Sequence, residues 1–371
     1  MDPRKSIGLR MLLAACSVVL FAVTGSVTPK TNGLSSRVTI FSEGLNNPRG
    51  LSFGPDGYLY VAEGGLGGSQ MTTAADCEQV VPPVGPYSGD LTARISRIDF
   101  AGTRSTLVDG LPSSQTSPLV GSFISGVADV KFVGGQLYAL IGGAGCSHGL
   151  LGTNNEMVRV NDDGTVTSVA NLSAFLAANP VANPEPDDFE PDGTWYGMVA
   201  VRGDLYAVEP NHGEIDRIST DGAISRVIDV SATQGHVVPT SIAYHGNFYV
   251  GNLGLFPIDP GTENVYKVTP SGQIKVKASG LTTVLGVAFD HIGRLYVLES
   301  MTAPGFPGPE QFGTGRIVRI EHSGAQRTIA SGLTFPTAMT FGPDGALYVS
   351  NIGFGVPIPG TGQIVRVEVT D

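Results

Sequence analysis

Hydrophobic and polar positions alternate along most of the chain, in short runs separated by turns rich in glycine, asparagine and aspartate. Alternation with a period of two is typical of β-strands that bury one face. Leu172 to Ala178, just ahead of Asn179 and Pro180, is the best helix candidate. The pattern therefore predicts an all-β chain.

Two short signatures recur in the same order along the chain. The first is Leu-Tyr or Phe-Tyr, which follows a turn at Leu59-Tyr60, Leu137-Tyr138, Leu205-Tyr206, Phe248-Tyr249, Leu295-Tyr296 and Leu347-Tyr348. The second is a cation before Ile or Val, at Arg97-Ile98, Arg159-Val160, Arg217-Ile218, Lys267-Val268, Arg319-Ile320 and Arg366-Val367. Because both signatures give the same count, the chain is predicted to contain six repeated units.

Each unit contains four strands, which we name A to D. Strand A is an apolar run, strand B carries Leu-Tyr, strand C carries the cation, and strand D is a run such as Thr328 to Ala330. Four antiparallel strands make a propeller blade, whereas a solenoid would need a capping repeat at each end. No capping repeat is apparent, so the pattern favours the propeller.

The sixth unit lacks a strand D, and a matching segment precedes the first unit. Thr39 to Leu45 is similar to the strand D segment Thr328 to Leu333. We expect this N-terminal strand to complete the last blade, which removes exposed strand edges. The sequence thus predicts a closed six-bladed β-propeller over residues 37–371.

The connections between strands divide into short and long ones. Turns from A to B and from C to D, such as Gly54 to Gly57, have the composition of tight hairpins. They are expected on one face of the disc, and the longer B-to-C and D-to-A connections on the other. Because long loops on a rigid scaffold usually carry function, the long-loop face is the predicted functional face.

Residues 1–26 have the order of a secretory signal peptide, with cations before an apolar stretch from Met11 to Val23. The stretch is shorter than the roughly 20 residues of a spanning helix, so we expect cleavage, secretion and no transmembrane segment in the mature chain. A lipid anchor at Cys16 is the disfavoured alternative, because only five residues separate Arg10 from Cys16. The remaining pair, Cys77 and Cys146, is predicted to form a disulfide between two long loops.

The net charge of −11 argues against a nucleic-acid partner, because phosphates require a basic face. None of the nucleophile elbow, the phosphate loop and the dinucleotide fingerprint is present in the strand–helix context that each of them requires. Ordinary serine-hydrolase and nucleotide chemistry are therefore not expected. The predicted partner is a small molecule or an extracellular protein, and the chain is expected to be a monomer.

Strand B ends at comparable positions in the six units, on the long-loop face. These are Glu63, Ile141, Glu209, Asn252, Glu299 and Asn351. The three carboxylates and two amides, if they face one axis, would suit Ca²⁺ in the central channel, since this cation prefers oxygen ligands. The favoured alternative is that each side chain bonds the backbone of its own loop. No other cofactor is predicted.

Two further groups on this face are candidates. His148, His212 and His236 are candidate ligands at the channel mouth, but their wide spacing favours packing roles. The acidic stretch from Glu185 to Asp192 precedes Trp195, and carboxylates beside aromatics can bind a cationic or sugar-like ligand or Ca²⁺. A solvated loop is the commoner role of such a stretch.

Several of these stretches resemble the ScyD/ScyE family of exported propeller proteins. The matching stretches are Asn47 to Leu51, Gly145 to Gly149, Pro186 to Tyr196, Glu209 to Gly213 and Phe248 to Asn252. The resemblance implies a six-bladed propeller of the NHL and gluconolactonase-like kind, and it implies no reaction. The wider group includes calcium-dependent lactonases, whose channel metal is held by Glu, Asn and Asp.

Two functions are therefore considered. The leading hypothesis is a secreted ligand-binding or scaffold protein that acts through its long-loop face, without a defined reaction. The alternative is a channel-metal hydrolase of lactones or esters, with Glu63, Glu209, Asn252, Glu299 and Asn351 as metal ligands. The sequence identifies no catalytic residues, and it leaves open whether the protein is an enzyme.

Overall fold

The computed structural model describes residues 37–355 and 358–369. The predicted signal peptide and the alternative lipid anchor at Cys16 lie outside the described residues. The described chain forms six antiparallel sheets arranged as a six-bladed propeller, which confirms the predicted fold. No helix in the described part is long and apolar enough to cross a membrane.

The strands of blades one to three follow the predicted order from A to D. Blade one has β2 (Pro48–Phe53), β3 (Leu59–Glu63), β4 (Ser88–Ile98), β5 (Arg104–Gln115) and a short fifth strand, β6 (Ile124–Ser125). Blade two has β7 (Val127–Val133), β8 (Gln136–Ile141), β9 (Glu156–Val160) and β10 (Val166–Asn171). Blade three has β11 (Gly197–Val201), β12 (Asp204–Glu209), β13 (Glu214–Ile218) and β14 (Ile224–Asp229).

Blades four to six repeat the same order. Blade four has β15 (Pro239–Tyr244), β16 (Phe248–Asn252), β17 (Glu263–Val268) and β18 (Ile274–Leu281). Blade five has β19 (Val284–Phe289), β20 (Leu295–Glu299), β21 (Gly315–Ile320) and β22 (Gln326–Leu333). Blade six has β23 (Ala338–Phe341), β24 (Leu347–Asn351), β25 (Gly362–Val367) and, as its outer strand, β1 (Val38–Leu45).

The N-terminal strand closes the ring, as the sequence predicts. β1 pairs antiparallel with β25, from Val38 opposite Val367 to Leu45 opposite Gly362. Leu45 is fully buried at the junction of blades six and one, in a cluster with Leu59 and other aliphatic side chains. The hydrophobic core thus lies between neighbouring blades, so each blade depends on the next one for its burial.

Helical segments are short. The predicted helix is present as α1 (Leu172–Ala178), and the Asn171 side chain accepts the Ala174 N–H at 2.8 Å as its N-cap. The single turn α2 (Ser231–Gln234) and three 3₁₀ turns, at Pro118–Val120, Cys146–His148 and Pro309–Gln311, were not predicted. Such single turns are too short to show a helical period in sequence.

The two sequence signatures lie side by side in the structure. In every blade the Tyr of strand B is the cross-strand neighbour of the cation of strand C, and we call each pair a Tyr–cation rung. The rungs are Tyr60–Arg97, Tyr138–Arg159, Tyr206–Arg217, Tyr249–Lys267, Tyr296–Arg319 and Tyr348–Arg366. All six lie toward the short-turn face, so the two signatures report one repeated contact.

The short turns take part in several rungs. In blade six, Asp344 of the A-to-B turn accepts from the Tyr348 hydroxyl at 3.2 Å and from Arg366 Nε at 2.8 Å. In blade one, Asp56 accepts from the Tyr60 hydroxyl at 2.8 Å and pairs with Arg97 at 3.3 Å. The aspartate therefore ties the turn to both middle strands of its blade.

Candidate functional site

The long-loop face is fastened by the predicted disulfide. Cys77 in the B-to-C loop of blade one is bonded to Cys146 in the corresponding loop of blade two, across 69 residues of sequence. Thr72 Oγ1 also donates to the Cys146 carbonyl at 2.5 Å. The longest loop of the chain is therefore held against its neighbour rather than free in solvent.

The five polar residues at the strand B ends are nearly or fully buried and bind backbone N–H groups. The donors are Asn46 to Glu63 (2.5 Å), Thr194 to Glu209 (2.7 Å), Asn264 to Asn252 (2.8 Å), Thr282 to Glu299 (2.8 Å) and Thr334 to Asn351 (2.9 Å). Four of these donors belong to the connection that enters the same blade. These side chains thus hold the ends of their own loops.

Two of the carboxylates already have a cation. Glu63 pairs with Arg94 at 2.8 Å and Glu299 pairs with Arg316 at 2.6 Å. Within residues 37–355 and 358–369, no three His, Cys, Asp or Glu side chains are grouped so that they can hold a metal ion. The contacts therefore do not fit a channel Ca²⁺ site, and a metal at these positions stays a prediction.

A cavity of about 520 Å³ opens on the long-loop face. One wall is aromatic and consists of Phe123, Phe256, Phe306 and Phe354, which come from the connections of blades one, four, five and six. Phe123 stacks on Phe354 with 4.6 Å between ring centroids, and Phe256 packs against Phe306 at 5.8 Å. A backbone bridge between Ile258 and Gly305 joins the loops of blades four and five. We call this cavity the loop-face pocket.

A second part of the lining, the acidic wall, carries carboxylates. It is formed by the connection between blades two and three, with Glu185, Asp187, Asp188 and Glu190. Glu190 is only 5% exposed and accepts from the Tyr87 hydroxyl at 2.5 Å. Burial, reinforced by the Asp188 carboxylate, raises the pKa of Glu190 well above its usual range. Glu190 is thus buried behind the wall, whereas half-exposed Asp188 lies at its surface.

The three histidines have different positions. His148 is fully buried, with Nδ1 2.8 Å from Ser114 Oγ and Nε2 2.8 Å from the Gly193 carbonyl, and burial lowers its pKa. His212 Nε2 lies 2.9 Å from the Glu190 carbonyl. Both rings thus contact backbone carbonyls of the connection between blades two and three, which carries the acidic wall.

His236 is the member of the predicted set that lines the loop-face pocket. Its Nε2 lies 3.9 Å from Asp188 Oδ2. Trp195 also lines the pocket, although its side chain is almost fully buried at 2% exposure. The structure therefore brings together the acidic stretch, its tryptophan and one histidine, and it leaves the five strand-end residues outside the pocket lining.

The aromatic wall was not predicted from the sequence. A weak signal exists, because three successive B-to-C loops carry Phe next to Pro or Gly, in Phe256-Pro257, Phe306-Pro307 and Phe354-Gly355. A large apolar side chain in a turn-rich loop on the predicted functional face is a candidate binding residue. The three rings cluster with Phe123 because of the conformations of their loops, and the repeated sequence signatures carry no information about loop conformation.

Comparison with known proteins gives the class by fold alone. No family model matches the chain, and no curated protein matches it. A gluconolactonase from Xanthomonas campestris has 11% identity and a TM-score of 0.53, with 89% of each chain covered. A putative oxidoreductase (glucose dehydrogenase) from Thermus thermophilus has 18% identity and a TM-score of 0.52, with 91% of this chain and 100% of that chain covered.

A luciferin-regenerating enzyme is similar in the same way, with 11% identity, a TM-score of 0.53, and 91% of this chain and 96% of that chain covered. At such identities the likeness shows the fold and not the chemistry. The chain is thus a six-bladed propeller with gluconolactonase-like structural neighbours. The finer resemblance to ScyD/ScyE proteins is not confirmed by these matches.

Proposed function

We propose that the chain is a ligand-binding propeller whose loop-face pocket takes a small molecule with a flat or elongated apolar body. The observation that carries this proposal is the meeting of four phenylalanines from four separate connections at one cavity. Phe306 is 42% exposed and the neighbouring Leu255 is 58% exposed, so apolar surface remains to be covered. Covering such surface contributes about 25 cal/mol per Å².

The polar groups of the pocket suit orientation of a ligand. Ligand sites are typically apolar cavities with a few well-placed polar groups. Here Tyr87 and Glu190 are bonded to each other, and Asp188 lies near His236, all on one wall. A ligand therefore meets an aromatic part and an acidic part of the same lining, which gives it a preferred direction.

Binding of N-phenyl-1-naphthylamine, an uncharged dye that fluoresces in apolar surroundings, tests the proposal. We expect saturable binding to one site per chain. The double substitution Phe256→Ala and Phe306→Ala should weaken it by about tenfold or more, since each aromatic contact contributes on the order of 1 kcal/mol.

Phe100→Ala is the matched control, because Phe100 is 72% exposed but lies in the C-to-D turn of blade one, on the short-turn face. Its affinity for the dye should equal that of the parent protein. Absence of saturable binding, or equal loss in the control and the double variant, would overturn the proposal.

The alternative, a channel-metal hydrolase, makes a different prediction. It requires a divalent ion in protein purified without chelator, and lactone or ester hydrolysis that EDTA abolishes. Elemental analysis together with a panel of lactones measured with and without EDTA separates the two functions. The arginine partners of Glu63 and Glu299 lead us to expect no bound ion and no change of dye binding in EDTA.

A further inference from the structure

Arg49 is a buried cation where the loop-face pocket meets the central channel. It lies at the start of β2 and is only 6% exposed, yet it lines the pocket. The guanidinium lies 5.6 Å from the ring centroid of Tyr196, a residue that lines both the pocket and the channel, and 5.8 Å from that of Phe354. Two aromatic rings therefore flank the charge.

The guanidinium lacks a counter-ion. It donates to the Ile124 carbonyl and interacts with the Tyr196 hydroxyl, both of which are neutral acceptors. In the described part of the chain no carboxylate lies within 4.0 Å of it. A buried charge without a partner is costly, and neighbouring rings contribute only about 0.5–2 kcal/mol.

Other arginines at the same end of the blades are paired. Arg94, Arg226 and Arg316 each contact a fully buried glutamate at 2.5–2.8 Å. Asp129, a buried carboxylate of the channel, is already engaged by Lys131 Nζ at 2.5 Å and by the Met198 N–H at 2.9 Å. The free charge of Arg49 is therefore a departure from the pattern that the rest of the molecule follows.

We propose that Arg49 binds the carboxylate of an aromatic carboxylic acid, whose ring system then lies against Phe123 and Phe354. This inference rests on the proposed binding function and specifies its ligand class. A guanidinium offers five donors in a planar fork that matches a carboxylate. The acidic wall repels the same carboxylate, so the ligand enters with its charge directed toward Arg49 and away from Asp187 and Asp188.

Displacement of bound N-phenyl-1-naphthylamine by 2-naphthoate and by 2-naphthamide tests the inference. The two competitors share one ring system and differ in charge. In the parent protein we expect the carboxylate to bind about tenfold more tightly than the amide, as for a charge-assisted hydrogen bond. Arg49→Gln should abolish that preference, which is measured as the ratio of the two competitors' affinities within one protein, and Arg49→Lys should retain part of it.

Arg97→Gln is the matched control, since Arg97 also lies over a tyrosine ring, that of Tyr58 at 3.9 Å, but on the short-turn face. It should keep the full preference for the carboxylate. Equal displacement by the two competitors in the parent protein overturns the inference without any variant, so the inference stays open to refutation even where Arg49→Gln fails to fold by circular dichroism.

The outcomes separate the two proposals. Failure of the dye to bind overturns the proposed function. Saturable dye binding with equal displacement by naphthoate and naphthamide overturns the role of Arg49 alone. A preference for the carboxylate that survives in a folded Arg49→Gln protein likewise shows that another group holds the anion.

Discussion

The same strands form both faces of the propeller, but the side-chain pairs of strands B and C repeat from blade to blade only on the short-turn face. On the short-turn face every blade has a Tyr–cation rung. On the long-loop face the pair that ends strands B and C changes from blade to blade, as Glu63–Arg94, Glu209–Glu214, Glu299–Arg316 and Asn351–Gln363 show. The repeated pairs are contacts that every blade needs for the fold. The face on which the pairs differ between blades is the one that can carry a binding site.

Blade three shows the contrast most sharply. Where blades one and five place an arginine opposite the strand B glutamate, blade three places Glu214 opposite Glu209. Glu214 and Asp216 are both fully buried. A single cation, Arg226, lies 2.5 Å from Glu214. Burial raises the pKa of both carboxyls, and this cluster lies next to the blade entry that carries the acidic wall.

The largest expected effect comes from opening the ring, on which both faces depend. Deletion of residues 37–45 removes the partner of β25 and the fully buried Leu45. We expect a loss of about 5 kcal/mol or more, which is comparable to the whole stability of a typical domain. Thermal unfolding measures it. Ile40→Thr, at a 38% exposed position of β1, is the control and should stay near the parent; a truncated chain that unfolds like the parent would contradict ring closure.

Removal of the disulfide should weaken the non-repeating face next. In Cys77→Ser with Cys146→Ser, a loop closed across 69 residues becomes open. The expected cost is about 4 kcal/mol by the chain-entropy estimate, measured by urea unfolding. Parent protein under reducing conditions should match the double variant. Separate Cys77 and Cys146 peptides in a mass spectrum of an unreduced digest would count against the bond.

The third prediction concerns pH and the exceptional blade three. Burial and the neighbouring Asp216 raise the pKa of Glu214 to about 9, and burial raises the pKa of Asp216 to about 6. The folded state thus keeps a proton that the unfolded chain releases above the usual pKa of 4.5. The free energy of unfolding should therefore fall between pH 5 and 9, by up to about 1.4 kcal/mol per pH unit for each carboxyl that stays protonated, and so more steeply below about pH 6 than above it.

Urea unfolding across this range measures the slope, and Glu214→Gln should flatten it because glutamine does not titrate. Asp204→Asn is the control, since Asp204 forms an ion pair with the largely exposed Arg217. Equal slopes in the parent and the Glu214→Gln protein would show that this carboxyl does not retain the proton.

The smallest expected effect separates the two faces within blade six. Tyr348→Phe removes the hydroxyl bond to Asp344 and should cost about 1 kcal/mol of stability, without change in dye affinity. Phe354→Ala, in the loop at the other end of β24, should lower dye affinity instead. Paired denaturation and dye titrations of the two variants check this. A change of dye affinity in Tyr348→Phe would show that the faces are coupled.

Much of the fold is predictable because its signals repeat. Tyr60 and Arg97 are direct neighbours, and so are their counterparts in the other blades, which is why the two counts of six agree. The outer strand β1 is recognisable by its likeness to β22, and α1 by its apolar run before Asn179 and Pro180. Repeated contacts leave repeated residues, and these can be counted without a structure.

The candidate site is less predictable for the converse reason. Strand register places Glu63 and Glu299 at the ends of strand B, but it does not specify whether a side chain turns to the channel axis or back to its loop. The aromatic wall depends on where the loops of Phe256 and Phe354 fold back. Arg49 differs from the other arginines because it has no carboxylate partner. The absence of a contact has no signature in the sequence, so this property could not be predicted.

The closure of blade six also has a consequence for the folding of the chain. Thr39 and Arg366, which touch in the finished ring, are 327 residues apart, so this pairing is among the most non-local contacts that the chain makes. Such contacts form late, because the loop between them must be ordered first. We therefore expect β1 to stay without its partner strand until β25 has been synthesised, and blade six to close after the other blades.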